Sequence, residues 1–171
     1  DDQAGNIMVY PSVEVTPAGW QAGMVPNTAQ QVSKNPAVQL WFYVNAWRTS
    51  GRMFVGLRAS LGAASIPGVA ENQVGLHWDG TNNFVRTSNG TTNTDSATFA
   101  LAVGWHSMQI VLKSATRAEV FIDEVSRANI TTTLPTGDLE MARVLISVGG
   151  GGVGADMILT YFAKDAARWL G

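Results

Sequence analysis

Apolar residues at every second position over 40–47 and 52–60 constrain this chain more than any other feature. Leu40, Phe42, Val44 and Ala46 alternate with polar or aromatic neighbours, and so do Met53, Val55, Leu57 and Ala59. A period of two means strands, each with one buried face. The two runs are separated by Arg48, Thr49, Ser50 and Gly51, so they are predicted to form a β-hairpin burying those eight residues together. Its opposite face then collects Trp41, Tyr43, Asn45, Trp47, Arg52, Phe54 and Arg58. Aromatic bodies with polar tips, flanked by arginines, suit a sugar or a protein partner. Trp41, Tyr43, Asn45, Trp47, Arg52 and Arg58 are therefore the candidate binding residues, for a glycan or for a subunit interface. In the glycan reading Trp41 or Trp47 stacks on a pyranose, while Asn45, Arg52 or Arg58 binds hydroxyls or a carboxylate. In the assembly reading the same residues anchor an interface. A third reading covers the face with the N-terminal arm or another strand and stacks Arg58 on Trp41.

The same pattern recurs downstream. Gln73 to Asp79 reads as a strand with Val74, Leu76 and Trp78 on one face, turning at Asp79-Gly80 into a return strand over Asn82 to Thr87. A polar turn follows at Asn89-Gly90, and Ser96 to Leu101 is expected to be a further strand. Met108, Ile110 and Leu112 are expected to face Ala118, Val120 and Ile122 across Ser114-Ala115-Thr116. Asp123-Glu124 is the next turn, leading into a short strand and a loop at Pro135-Thr136-Gly137. The last two strands are placed at Arg143–Val148 and Asp156–Ala163, with a helical turn in the closing KDAARWLG. Leu61 to Asn72 reads as a loop. Residues 1–37 hold Pro11, Pro17, Pro26 and Pro36, and read as one short strand at Ile7–Tyr10 followed by an irregular arm. Residues 38–171 make the sandwich, in a single domain overall.

Composition narrows the function. Eleven basic and 13 acidic residues leave a net charge of −2, and Lys occurs only at Lys34, Lys113 and Lys164. That is too little clustered positive charge for nucleic acid. No apolar run approaches the roughly 18 residues of a membrane span. With no cysteine there is neither a disulfide nor a thiolate metal site.

The segments RMFVGL (52–57), QVGLHWDGTNNF (73–84), GWHSMQIVL (104–112), AEVFIDEV (118–125) and TTLP (132–135) resemble, in content and order, the concanavalin A-like or laminin G-like jelly roll. The likeness is greatest to the versions found in tailed-bacteriophage virion proteins. One departure is Asp123-Glu124, where the family has Asp-Gly. The resemblance implies an all-β, two-sheet antiparallel jelly-roll sandwich and a virion or extracellular location. It implies no fixed active site. The expectation is a non-enzymatic virion component, a capsid decoration or fibre-type protein contacting other virion proteins, as a homo-oligomer with a trimer favoured. The alternative is a carbohydrate-binding module for a cell-surface glycan.

No catalytic constellation, metal site or cofactor is expected. Glu119 and Asp123 share a strand face, but no third carboxylate completes the Glu-x-Asp-x-x-Glu of some jelly-roll hydrolases, and surface charge is the simpler reading. His77 and His106 have no ligand or triad partners at useful spacing, and His106 opens a core-facing series, as a structural histidine would. The run GGGGVG at 149–154 satisfies Gly-x-Gly-x-x-Gly, yet a strand-like segment follows where a phosphate-binding helix is required.

Overall fold

The computed structural model describes residues 21–24, 32–44, 47, 49, 51–59, 70–113, 116–147 and 157–164; for 21–24, 140–147 and 157–164 the description is of the backbone. Among the described residues eleven strands form two antiparallel sheets of a jelly-roll sandwich. They are β1 (Gln21–Met24), β2 (Ala37–Val44), β3 (Gly51–Arg58), β4 (Asn72–Trp78), β5 (Asn83–Asn89), β6 (Asn93–Asp95), β7 (Gly104–Lys113), β8 (Arg117–Ile122), β9 (Val125–Ile130), β10 (Glu140–Ser147) and β11 (Met157–Lys164). The six-stranded sheet runs β1-β10-β3-β4-β5-β6, and the five-stranded sheet β11-β2-β7-β8-β9.

The first hairpin does not form. β2 pairs with β7 and β11, whereas β3 pairs with β4 and β10, so the two strands lie in different sheets. Six of the eight residues expected to be buried are in the core, Leu40, Phe42, Val44, Met53, Val55 and Leu57, whereas Ala59 is exposed and Ala46 lies outside the described residues. Period-two alternation fixes which face meets the core. It does not fix which strand lies alongside, because facing sheets bury the same residues as a hairpin would. Residues 45–50 reach about 20 Å when extended, ample for the ~10 Å between packed sheets.

The second hairpin holds in register, with Met108 opposite Ile122, Ile110 opposite Val120 and Leu112 opposite Ala118. Together with Val38, Val74, Leu76, Trp78, Val85, Ala128 and Ile130, these residues form one core between the sheets. The β4–β5 hairpin turns where Asp79-Gly80 predicts it. There the Asp79 carboxylate accepts the amides of Thr81 (2.8 Å) and Asn82 (2.7 Å). The expected strand at 96–101 is different. The strand is β6, at 93–95, and beyond it the chain follows β5 at isolated points: Ser96 N–H donates to Val85 O (2.8 Å) and Phe99 N–H to Asn83 O (2.9 Å). This segment hugs the sheet edge without a continuous ladder.

A strand within residues 1–37 is found at Gln21–Met24, against β10, and a 3₁₀ turn at Val32–Lys34 precedes β2. The expected strand at Ile7–Tyr10, the turn at 149–154, most of the loop at 61–72 and the helical turn after Lys164 lie outside the described residues.

Candidate functional site

Once β2 and β3 are assigned to different sheets, Trp41 and the two arginines, Arg52 and Arg58, no longer share a face. Trp41 pairs with Ser107 and Tyr43 with Trp105 in the five-stranded sheet. Trp41 is half-buried and Trp105 is exposed. Arg52 and Arg58 are on β3 of the other sheet, so Arg58 cannot stack on Trp41. Asn45 lies outside the described residues. Arg52 Nη1 donates to Thr49 O at 3.4 Å.

The face of the six-stranded sheet turned away from the core is strongly polar for a buried surface. Arg58 is 1% exposed and meets the Glu71 carboxylate with Nε (2.5 Å) and Nη2 (2.6 Å). Beside it, His77 Nε2 lies 2.8 Å from Gln73 Oε1, and the imidazole is stacked on Phe84 and tilted against Phe54. Burial, with the nearby Arg86 charge second, pushes the His77 pKa down to about 3. His77 is therefore a neutral, structural side chain at neutral pH. Gly56 and Gly75 sit opposite each other between these groups, and a Cβ on Gly75 would come within 2.7 Å of the Phe54 ring. Further along, Arg86 binds Asp95 with two bonds, at 2.6 and 2.7 Å.

His106 is structural as well. Its Nδ1 is 2.6 Å from Asp123 and its Nε2 is 2.9 Å from Ala102 O. Asp123 also accepts the Ser107 amide at 2.9 Å, which makes it a turn anchor. Glu119 is placed among Lys113 (3.9 Å) and Arg117 (3.4 Å), a surface cluster. Among the described residues no three His, Asp or Glu converge as metal ligands.

What tertiary structure does bring together is an aromatic cleft at the end of the sandwich. Trp47 packs on Trp78 with ring centroids 4.8 Å apart, and its indole N–H donates to Leu101 O at 2.7 Å. Around them Thr81, Asn82, Asn83, Thr98 and Phe99 complete a cavity of about 370 Å³. That size suits a small organic ligand. Asn83 is 3% exposed, yet its Oδ1 accepts no hydrogen bond. Such an orphaned acceptor costs about 1–3 kcal/mol, and a ligand hydroxyl would satisfy it. Trp47 is the one sequence-nominated residue here. Trp78 and Asn83 were hidden because both read as ordinary strand residues. Asn83 leaves a signal only in three dimensions, as a polar residue at a core-side position opposite Trp78.

No family model matches the sequence, and no curated protein matches it. Solved structures do match in fold. The β-glucanase of Bacillus licheniformis superposes with a TM-score of 0.62 over 95% of this chain and 98% of its own, at 8% identity. A galectin from Caenorhabditis elegans gives 0.53 over 94% and 96%, at 12% identity. A glycoside hydrolase family protein from Mycobacterium thermorestibile gives 0.57 at 11% identity, over 84% of this chain, which spans 65% of that protein's length. At such identities the likeness establishes the concanavalin A-like jelly roll. These neighbours overturn the expectation of a phage virion component without enzymatic activity, since their names point to carbohydrate chemistry and none to virion assembly.

Proposed function

We propose that this chain recognises a carbohydrate, and that the Trp47–Trp78 cleft receives the sugar. The observation that carries this reading is the buried, unbonded Asn83 Oδ1 beside two indoles. Indole faces cover the apolar side of a pyranose, and a fixed amide oxygen takes a hydroxyl donor. The names of the neighbours, β-glucanases and a galectin, support the same ligand class.

The test is calorimetry with β-1,3-1,4-glucan oligosaccharides on the wild type, Trp47→Ala and Asn83→Leu. Asn83→Leu removes the orphaned acceptor, so the fold is expected to be at least as stable while affinity falls about tenfold or more. Reduced stability with unchanged binding would make Asn83 a structural residue and sink the assignment.

A second reading, glycosidic-bond hydrolysis, is supported by the hydrolase names among the neighbours. It needs a pair of carboxyl groups about 5–10 Å apart. Glu71, the carboxylate on this sheet face, is already bound by Arg58 with both oxygens. This reading expects new reducing ends from β-1,3-1,4-glucan. No turnover by the wild type would end it.

A further inference from the structure

Beside the tryptophan cleft lies a second one, about 400 Å³, between β6 at the edge of one sheet and β9 at the edge of the other. Thr94, Asp95, Ser96, Arg127, Asn129 and Thr132 are among its lining residues. Arg127 is the unusual member. Its guanidinium carbon sits 4.9 Å from the centroid of Phe99, over the ring, a cation–π contact. Arg58, Arg86 and Arg117 each have a carboxylate within ion-pair distance, whereas Arg127 has none among the described residues. Its Nε is shut from solvent without an acceptor. Asp95, the acidic group in the same cleft, is already occupied by both Arg86 bonds and by Asn93 Nδ2 at 3.2 Å. Arg86 and Arg127 together therefore outnumber the one carboxylate, and the cleft has a positive charge to spare. Phe99 lines the tryptophan cleft, so the Arg127–Phe99 contact connects a residue of each cavity.

We infer that this second cleft is a carboxylate subsite, and that the glycan is acidic, a uronate-containing chain whose carboxylate is taken by Arg127. The inference rests on the carbohydrate reading of the tryptophan cleft and adds the ligand's charge. A planar guanidinium matches a planar carboxylate with paired N–H donors, and a partner of this kind supplies the acceptor that Arg127 lacks. The exposed Asn129 amide lines the same cleft and suits a ring hydroxyl of the uronate.

The experiment compares a neutral β-glucan oligosaccharide, a uronate oligosaccharide of the same length and a sulfated one, by calorimetry at low and high salt. Wild type, Arg127→Gln and Arg127→Lys are used, with thermal melts to show that each is folded. The expected result is uronate binding about tenfold or more weaker in Arg127→Gln, partly restored in Arg127→Lys, with the difference shrinking at high salt. Neutral-chain binding should be the same in all three. Uronate affinity that is unaffected by Arg127→Gln, alongside neutral-chain binding, overturns the subsite and leaves the carbohydrate reading standing. Absence of binding by all three chains overturns both. Equal affinity for the sulfated and uronate chains overturns the carboxylate assignment.

Discussion

Arg58 and Glu71 meet fork to fork, with Nε–Oε1 at 2.5 Å and Nη2–Oε2 at 2.6 Å, on a guanidinium that is only 1% exposed. The pair ties β3 to the residue that leads into β4, and it sits on the sheet face away from the core. Removing one partner of a buried ion pair costs about 3–5 kcal/mol, whereas replacing both with apolar groups is often close to neutral. Glu71→Ala is accordingly expected to lower stability by about 3 kcal/mol in chemical denaturation. Arg58→Met with Glu71→Leu should recover most of that loss. A double variant no more stable than Glu71→Ala would show that the charges themselves are required.

His77 gives the fold a dependence on pH. Its folded pKa of about 3 lies below the ordinary 6.5, first through burial and then through Arg86. The unfolded chain takes up a proton below about pH 6.5 that the folded chain refuses, so stability is full above that pH and declines as pH falls towards 3. The slope approaches about 1.4 kcal/mol per pH unit. Asp79 and Asp95, both held below the usual carboxylate range against the opposing effect of burial, lose stability in the same direction, but only at more acidic pH. Urea midpoints at pH 7 and pH 5 should differ in the wild type and much less in His77→Gln. Equal midpoints in the wild type would rule out a buried neutral imidazole.

The β8–β9 turn holds Asp123 and Glu124 at φ of +52° and +65°. Two central residues of positive φ define the type I′ hairpin, which favours Gly at the second position. Glu124 is exposed and bears the strain of a left-handed backbone, about 1 kcal/mol. Glu124→Gly is therefore expected to raise Tm by about 2–4 °C. Asp123 should not be changed, because its carboxylate holds His106 and the Ser107 amide.

Gly80 has φ of +92°, and a Cβ there would collide with the Thr49 carbonyl. Gly80→Ala combines an unfavourable backbone with a clash against main chain, and about 2–3 kcal/mol of destabilisation is expected. The same turn carries Thr81 and Asn82 into the tryptophan cleft, so glycan affinity should fall with it. Wild-type stability in this variant would mean that the 49–52 segment yields freely.

Much of the sandwich was legible because burial follows local pattern. Met108, Ile110 and Leu112 against Ala118, Val120 and Ile122 could be read with their register from matching parity across a three-residue loop. His106 as a structural residue followed from the same parity. The cleft was not legible. Trp47, Trp78 and Asn83 are brought together by a crossing between sheets, and no spacing along the chain announces it.

The sequence by itself determined which face of each strand meets the core, because side-chain period and hydrophobicity are local properties; it did not show that the opposite face of β3 and β4 is buried too, at Phe54, Arg58, Gln73 and His77. It also determined that the chain is all-β, through its alternation and its turn residues. Only the tertiary structure decided that β2 and β3 part company into opposite sheets, that Arg58 is taken up by Glu71, and that Trp47 meets Trp78. Strand partners are chosen by a global competition among edges that present the same apolar pattern. A binding cleft at the end of a sandwich exists only after that competition is settled.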